Sequence, residues 1–286
     1  MKIIRAEHLG MCFGVRDAIA LAVTESRRQS LTILGDLVHN PAVIRDLRQK
    51  GVQIEQDLSN VSTPTVMITA HGASESQKSR IRTQGHQVLE ATCPLVHSAH
   101  AALHQLVKDG FYPLIIGKRD HVEVRGMTGD LERFDVILHE EDILHLEPHP
   151  KIGIVSQTTQ PIDKVRRLVA LIRERFPASE VRFKDTVCQP TKQRQAAAVE
   201  LASKCNLVIV VGGHQSNNTR ELVETCRRHC QRVEQVENAH EIKQDWFRDV
   251  ETVGITAGTS TPDATIEAVE SAIRSMSPTQ NYAAVG

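Results

Sequence analysis

The chain has 286 residues, 34 Lys and Arg against 35 Asp and Glu, and only one Trp, two Tyr and six Phe. That balance leaves no basic footprint for nucleic acid, and the few aromatics cannot form a base-stacking platform. No apolar run approaches a membrane span and Met1-Lys-Ile-Ile-Arg-Ala-Glu is no signal peptide, so a soluble cytoplasmic protein is expected, with six cysteines as thiols or metal ligands rather than disulfides.

In chain order, short apolar runs alternate with longer amphipathic stretches, the pattern of βαβ units. Lys2-Ile-Ile-Arg-Ala is a short strand. Gly10-Met-Cys12-Phe-Gly-Val leads into a helix over Val15 to Arg28, followed by the strand Leu31-Thr-Ile-Leu ending at Gly35. Val66-Met-Ile-Thr-Ala-His71 and Gln87-Val-Leu-Glu-Ala-Thr come next. Ala91-Thr-Cys93-Pro-Leu-Val then opens a helix over Pro94 to Asp109, and Leu114-Ile-Ile runs to Gly117. The acidic stretch Leu131 to His149 reads as a surface connection with a short strand. Ile152-Gly-Ile-Val-Ser-Gln-Thr158, a helix over Ile162 to Arg175 and Val181-Arg-Phe-Lys-Asp-Thr follow. Thr186-Val-Cys188-Gln-Pro-Thr introduces a helix over Lys192 to Lys204 and the strand Leu207-Val-Ile-Val-Val before Gly212. A helix over Arg220 to Arg228, the strand Val253-Gly-Ile-Thr-Ala-Gly258, a capped helix over Pro262 to Ser275 and a small polar tail from Ser277, expected to be disordered, complete the chain.

The same unit occurs three times. From Cys12, Cys93 and Cys188 it is 23, 24 and 24 residues to Gly35, Gly117 and Gly212. The expected fold is α/β, with three pseudo-threefold lobes built on parallel sheets: 12–92, 93–187 and 188–276, followed by the tail 277–286. The strands before Cys93 and Cys188 complete the sheet of the preceding lobe. By the same logic, strand 1–11 should complete the last lobe and close a ring.

One cysteine per lobe brings three thiolates to one axis, which points to a metal centre with three protein ligands. Structural zinc wants four ligands, usually in close pairs, and no Cys-x-x-Cys occurs. Single cysteines on separate lobes suit a cubane 4Fe–4S cluster with one iron left open. From the residues alone, a buried small hydrophobe stays open as the alternative for each of the three. Cys205, Cys226 and Cys230 lie outside the repeated position and read as buried structural residues.

Polar residues gather where strands lead into helices, the ligand-binding end of parallel α/β units. They are Val38-His39-Asn40, Ala70-His71-Gly72, His121-Val-Glu123, Gln157-Thr158-Thr159, Ser216-Asn217-Asn218 and Thr259-Ser260-Thr261. Imidazoles, hydroxyls and amides at strand–helix turns make an anion site suited to a phosphate or diphosphate. Glu123 is either a proton donor beside that site or a surface residue paired with Arg125. His97, His100 and His104 read as one helix face.

Taken together, Gly10-Met-Cys12-Phe-Gly-Val, Val38-His39-Asn40, Ala70-His71-Gly72, Ala91-Thr-Cys93-Pro-Leu-Val, His121-Val-Glu123-Val, Gln157-Thr158-Thr159, Cys188, Ser216-Asn217-Asn218-Thr and Thr256-Ala-Gly-Thr-Ser260-Thr-Pro-Asp closely resemble the 4-hydroxy-3-methylbut-2-enyl diphosphate reductases, to about Ala264. The resemblance implies a 4Fe–4S cluster on Cys12, Cys93 and Cys188, in a trefoil of three α/β lobes. It implies diphosphate binding by His39, His71, His121, Ser216, Asn217, Asn218 and Ser260. Glu123 is implied as the proton donor and Thr158 as the residue that holds the substrate hydroxyl and orients Glu123, supported by Gln157 and Thr159. The implied reaction is reductive dehydroxylation to isopentenyl and dimethylallyl diphosphates, with a ferredoxin or flavodoxin delivering two single electrons.

Three positions depart from the family pattern. Val122 replaces the usual proline between His121 and Glu123, and the loop is expected to lose a fixed φ. Asn217 stands where serine is commoner, and Phe13 replaces a small residue after the first cysteine, with altered packing expected there. Two rivals share the three cysteines: a quinolinate-synthase-like 4Fe–4S lyase, and a non-catalytic metal-binding module.

Overall fold

In a computed structural model, the described residues are 1–38 and 40–276. His39 and the tail 277–286 therefore lie outside them. The elements in order are β1 (Lys2–Arg5), α1 (Phe13–Ser26), β2 (Leu31–Leu34), α2 (Pro41–Gln49), β3 (Gln53–Glu55), β4 (Thr65–Ile68), α3 (Glu75–Thr83) and β5 (Gln87–Glu90). There follow α4 (Pro94–Lys108), β6 (Tyr112–Ile116), α5 (Val122–Thr128), β7 (Asp135–Ile137), β8 (Lys151–Ser156), α6 (Ile162–Arg175) and β9 (Glu180–Phe183). The chain ends with α7 (Gln189–Ala202), β10 (Leu207–Val211), α8 (Asn217–Arg227), β11 (Val233–Val236), β12 (Thr252–Ala257) and α9 (Asp263–Met276).

The strands form three four-stranded sheets, ordered β3-β2-β4-β5, β7-β6-β8-β9 and β11-β10-β12-β1, and every pairing is parallel. The order is the same in all three once β1 takes the fourth place of the last sheet. There Lys2 pairs with Thr252 and Arg5 with Ile255, so the N-terminal strand completes the C-terminal sheet as its sequence predicts. The chain divides into two compact units. One spans Cys12–Lys192 and holds two sheets; the other joins Met1–Met11 to Gln193 onward and holds the third.

Period-two alternation explains why the strands are apolar on both faces. In β10, Leu207, Ile209 and Val211 pack with Ile266, Val269 and Ile273 of α9. Val208 and Val210 face the other way, against Ala198 and Leu201 of α7 and Leu222 and Val223 of α8. Within 12–192, Leu114, Ile116, Ile152 and Ile154 likewise meet α6, while Ile115 and Val155 meet α4 and α5. Such sandwiching leaves only the strand ends free to carry polar groups.

Several boundaries differ from those expected. The helices α2, α3 and α5 are additional to the predicted ones. Asn40 caps α2, its Oδ1 accepting the N–H groups of Ala42 and Val43 at 3.0 and 3.3 Å, with Pro41 at the first helical position. The helix α7 begins at Gln189 rather than Lys192, and α8 at Asn217 rather than Arg220, because Ser216 caps it through Thr219 N at 3.3 Å. Val122 is the first residue of α5, not part of a loop. Proline is favoured there for its fixed φ, so valine gives up preorganisation and no contact. Phe13 is 46 % exposed at the start of α1, and its ring adds apolar surface rather than a packed core contact.

Candidate functional site

The three repeated cysteines share one backbone device. The carbonyls of Cys12, Cys93 and Cys188 accept the N–H groups of Arg16, His97 and Lys192 at 3.1, 3.0 and 3.1 Å, so each cysteine sits where a helix starts. Neither the Cys12 nor the Cys93 side chain caps its helix. Their thiols are left for other work, at the positive end of a helix dipole that favours thiolate. All six cysteines are free.

The three belong to one neighbourhood within 12–192. Gly14 packs so closely on Cys93 that a Cβ there would come within 2.5 Å of the Cys93 sulfur. Only glycine allows that approach. Burial pushes the Cys93 thiol up, and negative charge on Cys12 and Glu123 adds to the rise, outweighing the backbone N–H groups of Leu95 and Val96. Burial likewise raises Cys188, again with Glu123 and Cys12 contributing, against the Thr191 hydroxyl at 3.0 Å from its sulfur. Among the described residues no cation offsets the charge of Cys12 and Glu123 at these two thiols. A cationic metal group would invert that balance and hold them as thiolates. Among the described residues no three His, Cys, Asp or Glu side chains close around a single ion. Cubane clusters bind each thiolate at a different iron, so the donor set fits a cluster of that kind better than one zinc.

Glu123 lies beside them, 1 % exposed. Thr158 holds both its oxygens, through its backbone N–H to Oε1 at 2.7 Å and its hydroxyl to Oε2 at 3.1 Å. No ion pair involves Glu123 among the described residues, and Arg125 is exposed, so the pairing considered from the sequence does not occur. Burial pushes the carboxyl up to about 7 against the two Thr158 hydrogen bonds. Thr158 also ties this acid to the third cysteine, because its carbonyl accepts Cys188 N–H at 3.0 Å.

Around Glu123 the polar groups are fixed by short-range bonds. His121 caps α5, its Nδ1 accepting the Glu123 N–H at 3.2 Å. That bond requires an unprotonated Nδ1, which leaves the hydrogen of a neutral ring on Nε2. The His71 ring meets His121 edge to face, centroids 5.4 Å apart. Gln157 is fully buried: its Oε1 accepts Lys118 N–H at 3.1 Å and its Nε2 donates to the Thr159 hydroxyl at 3.1 Å. Gly117 makes room, since a Cβ would lie 2.8 Å from that of Gln157. His97, His100 and His104 instead line a separate cavity of about 270 Å3 with Lys78 and Asp130.

In the other unit, Ser216, Asn217, Asn218 and Ser260 are all buried. Ser216 caps α8, and Asn218 Oδ1 accepts Thr259 N–H at 3.0 Å, drawing the β12–α9 turn to the start of α8. Among the described residues Asn217 Nδ2 and the Thr219 hydroxyl are buried without a hydrogen-bond partner. Orphaned donors of this kind at a helix N-terminus are what an anion satisfies. Sequence inspection missed the cap roles of His121 and Asn40 and the space-making role of Gly14. The Asn-Pro pair at 40–41 was a readable signal for the second, and none existed for the third.

The LytB protein family model matches residues 3–274. The 4-hydroxy-3-methylbut-2-enyl diphosphate reductase of Trichlorobacter lovleyi is 38 % identical over 271 residues, covering 94 % of this chain and 96 % of that protein. Its namesake from Aquifex aeolicus is 36 % identical, covering 96 % of both. A solved (E)-4-hydroxy-3-methyl-but-2-enyl diphosphate reductase, described as the terminal enzyme of the non-mevalonate pathway, superposes with a TM-score of 0.69 at 35 % identity, covering 96 % of this chain and 100 % of that one. The Plasmodium falciparum E-1-hydroxy-2-methyl-but-2-enyl-4-diphosphate reductase superposes with a TM-score of 0.89 at 26 % identity, covering 98 % and 90 %.

Proposed function

The chain belongs to the LytB protein family, alongside the 4-hydroxy-3-methylbut-2-enyl diphosphate reductases, and from that premise we propose how its residues carry out the reduction. It is an oxidoreductase of the non-mevalonate route to isoprenoids, which sets aside the lyase and the non-catalytic module. The allylic hydroxyl of the substrate leaves as water, two electrons and two protons are consumed, and isopentenyl and dimethylallyl diphosphates are formed.

In this proposal Cys12, Cys93 and Cys188 hold a 4Fe–4S cluster, one cysteine opening each of the lobes 12–92, 93–187 and 188–276, the last completed by 1–11. Support comes from three free thiols at three helix starts, with Gly14 clearing space beside Cys93. Such a cluster, when bound, supplies electrons singly and an iron without a protein ligand that acts as a Lewis acid.

The chain's own residues do the rest. His71, His121, Ser216, Asn217, Asn218 and Ser260 receive the diphosphate, together with His39, which lies outside the described residues. The orphaned Nδ2 of Asn217 is the donor with the clearest vacancy. Glu123 supplies a proton. With a pKa near 7 it is substantially protonated at neutral pH. Protonated at Oε2, it donates to the Thr158 hydroxyl, whose own hydrogen then turns toward the substrate hydroxyl. Gln157, engaged at both ends of its amide, positions Thr159 and the turn at Lys118. A ferredoxin or flavodoxin in the reducing cytoplasm supplies the electrons. Among the described residues no helix is long and apolar enough to cross a membrane.

The observation that carries this reading is Glu123, a carboxyl buried without a cation, bonded through both oxygens to Thr158 and felt electrostatically by Cys93 and Cys188. Anaerobically purified protein should hold about four irons and oxidise reduced methyl viologen only when 4-hydroxy-3-methylbut-2-enyl diphosphate is added, with both isomeric products formed. Iron-replete protein that shows no substrate-dependent oxidation would overturn the proposal.

A further inference from the structure

We infer that Gln160 is a positioning residue, a role that rests on the reductase reading above: its amide holds Gln157 in one orientation and so makes the Thr159 hydroxyl a donor toward the substrate. Gln160 is fully buried at the end of the turn that follows β8. It stands one position before Pro161, which restricts its backbone to extended conformations. Its backbone N–H donates to the Gln157 carbonyl at 3.1 Å, and its Nε2 donates to the Gln157 side-chain Oε1 at 3.3 Å. Both bonds end on the same residue.

The direction of every side-chain bond in this turn follows from one backbone group. A main-chain N–H can only donate, so the Gln157 atom 3.1 Å from Lys118 N is the amide oxygen. The other end of that amide is then the nitrogen, which donates to the Thr159 hydroxyl at 3.1 Å. The Gln160 atom that meets Gln157 Oε1 is a nitrogen for the same reason, since two oxygens would repel. One acceptor thus receives two donors, and reversing the Gln157 amide would set its NH2 group against both. A hydroxyl that accepts from Gln157 keeps its own hydrogen for another acceptor. Thr159 is the partly exposed residue of 157–160, so its hydrogen is the one a bound substrate can meet.

This arrangement has a cost. Among the described residues Gln160 Oε1 is buried without a hydrogen-bond partner, which an apolar side chain of the same size would avoid. A residue serving only to fill the core would be better apolar. The equivalent turn after β12 treats the same position differently. Thr261, also one residue before a proline, donates its hydroxyl to the Val211 carbonyl at 3.0 Å, and its N–H bonds the Gly258 carbonyl at 3.1 Å. There the end of β10 is fastened directly, and Gly258 has no side chain to orient. After β8 the place of Gly258 is taken by Gln157, and Gln160 orients it. Thr158 bonds Glu123 through its own N–H and hydroxyl, so the acid is held independently of the Gln157 amide.

The test uses the iron-loaded enzyme with dithionite-reduced methyl viologen, and follows exchange of the Lys118 amide hydrogen by mass spectrometry beside turnover. Gln160→Met keeps the volume and removes the donor. Its KM for 4-hydroxy-3-methylbut-2-enyl diphosphate should rise about three- to tenfold, the worth of one neutral hydrogen bond, with kcat within about twofold. Exchange at Lys118 should quicken about threefold as the Gln157 amide loosens. The decline in turnover above about pH 7 set by Glu123 should stay in place, and the urea midpoint should hold or rise. Gln160→Glu is the rescue: buried, its carboxyl is protonated at about pH 6 and donates to Gln157 as the amide does, so KM there should lie within about twofold of the parent. At about pH 8.5 the ionised carboxyl has only acceptors to offer, and its KM defect should exceed that of Gln160→Met. Unchanged KM or unchanged Lys118 exchange in Gln160→Met would overturn the inference, as would a failure of Gln160→Glu to rescue at the lower pH. So would a lowered urea midpoint with a displaced pH profile in Gln160→Met, which would make Gln160 a packing residue. If the parent shows no substrate-dependent viologen oxidation, the reductase reading falls, and exchange at Lys118 alone decides whether Gln160 orients Gln157.

Discussion

Cys12, Cys93 and Cys188 occupy helix starts in one unit of the chain, while Cys205, Cys226 and Cys230 lie together in the other, and the two triads show what placement does to one residue type. Cys93 and Cys188 both feel charge on Cys12, as Cys205 feels Cys230 and Cys226 feels Cys230 and Cys205. The first has helix N-termini, a neighbouring glycine without a Cβ and a buried acid. The second has aliphatic walls: Cys226 and Cys230 pack with Ala198, Leu201, Val208, Leu222 and Val233. Burial pushes Cys205 up to about 11, helped by Cys230, and Cys226 up to about 12, helped by Cys230 and Cys205. Thiols so held stay protonated and serve as small hydrophobes. Two buried glutamates repeat the contrast. Burial raises Glu270 too, but hydrogen bonds from Arg274 and Arg5 and their charges outweigh it, and its pKa falls below the usual value. Glu123 has only neutral Thr158 and ends near 7. The group available for chemistry is the one the fold has not already neutralised.

The strongest way to break the cysteine comparison is Cys93→Ser. A serine cannot replace a thiolate in a cluster, so iron content and activity should disappear together while the fold, judged by circular dichroism, survives. Full iron content with normal turnover would place Cys93 with the structural triad.

Next in size is Glu123→Gln, which keeps shape but has no proton to give. Turnover should fall by about 10²- to 10⁴-fold with substrate affinity nearly unchanged. The sign with pH follows from the raised pKa. Below the ordinary value near 4.5 the carboxyl is neutral folded or unfolded; as pH rises toward 7 the folded state increasingly resists its ionisation, so stability is lost over that window. Turnover should therefore decline above about pH 7 in the parent, and the stability loss between pH 5 and pH 8, about 3 kcal/mol at most, should vanish in the variant. Equal pH profiles for both proteins would refute the assignment.

Glu270→Ala sharpens the other side of the glutamate pair. Arg5 at the end of β1 and Arg274 on α9 both bond Glu270, with Arg274 Nε at 3.1 Å, so the carboxylate fastens the N-terminal strand to the last helix. The arginine side chains are 45 % and 64 % exposed, and their charges remain hydrated when the partner goes. The loss should be about 1–2 kcal/mol in urea unfolding at pH 7. With a lowered folded pKa, this contribution is present above the unfolded pKa and lost as pH falls through the folded one, opposite in sign to Glu123. Parent and variant should converge once the pH falls below the folded pKa, which itself lies below the ordinary glutamate value.

Much of the fold was legible because parallel strands buried on both faces read as Val- and Ile-rich runs, and because the third repeat lacked a fourth strand that the chain's first residues could supply. The short helices were harder. The helix α5 has seven residues, and its start depends on His121 acting as cap, which no propensity predicts. The strand-end polar clusters were visible from residue type and spacing. The bond between Thr158 and Glu123 was not, because the two are separated by 35 positions and no local pattern joins them; only the family resemblance pointed to it. Gly14 beside Cys93 was invisible for the same reason, a contact between residues 79 positions apart that local spacing cannot reveal.

The smallest expected effect closes the comparison from the structural side. Cys226 is fully buried, and its sulfur fills space between α8 and the sheet. Cys226→Ala removes one atom and leaves a void smaller than a methylene deletion from a large side chain, so the stability loss should be about 1 kcal/mol or less. Alanine is a better helix former than cysteine, which offsets part of that at this position in α8. Iron content, viologen-driven turnover and substrate affinity should all match the parent. Serine is the harsher probe, because it buries a hydroxyl among aliphatic neighbours and should cost more than alanine. If Cys226→Ala loses iron, the second triad binds metal after all, and helix-start placement is not what separates the two.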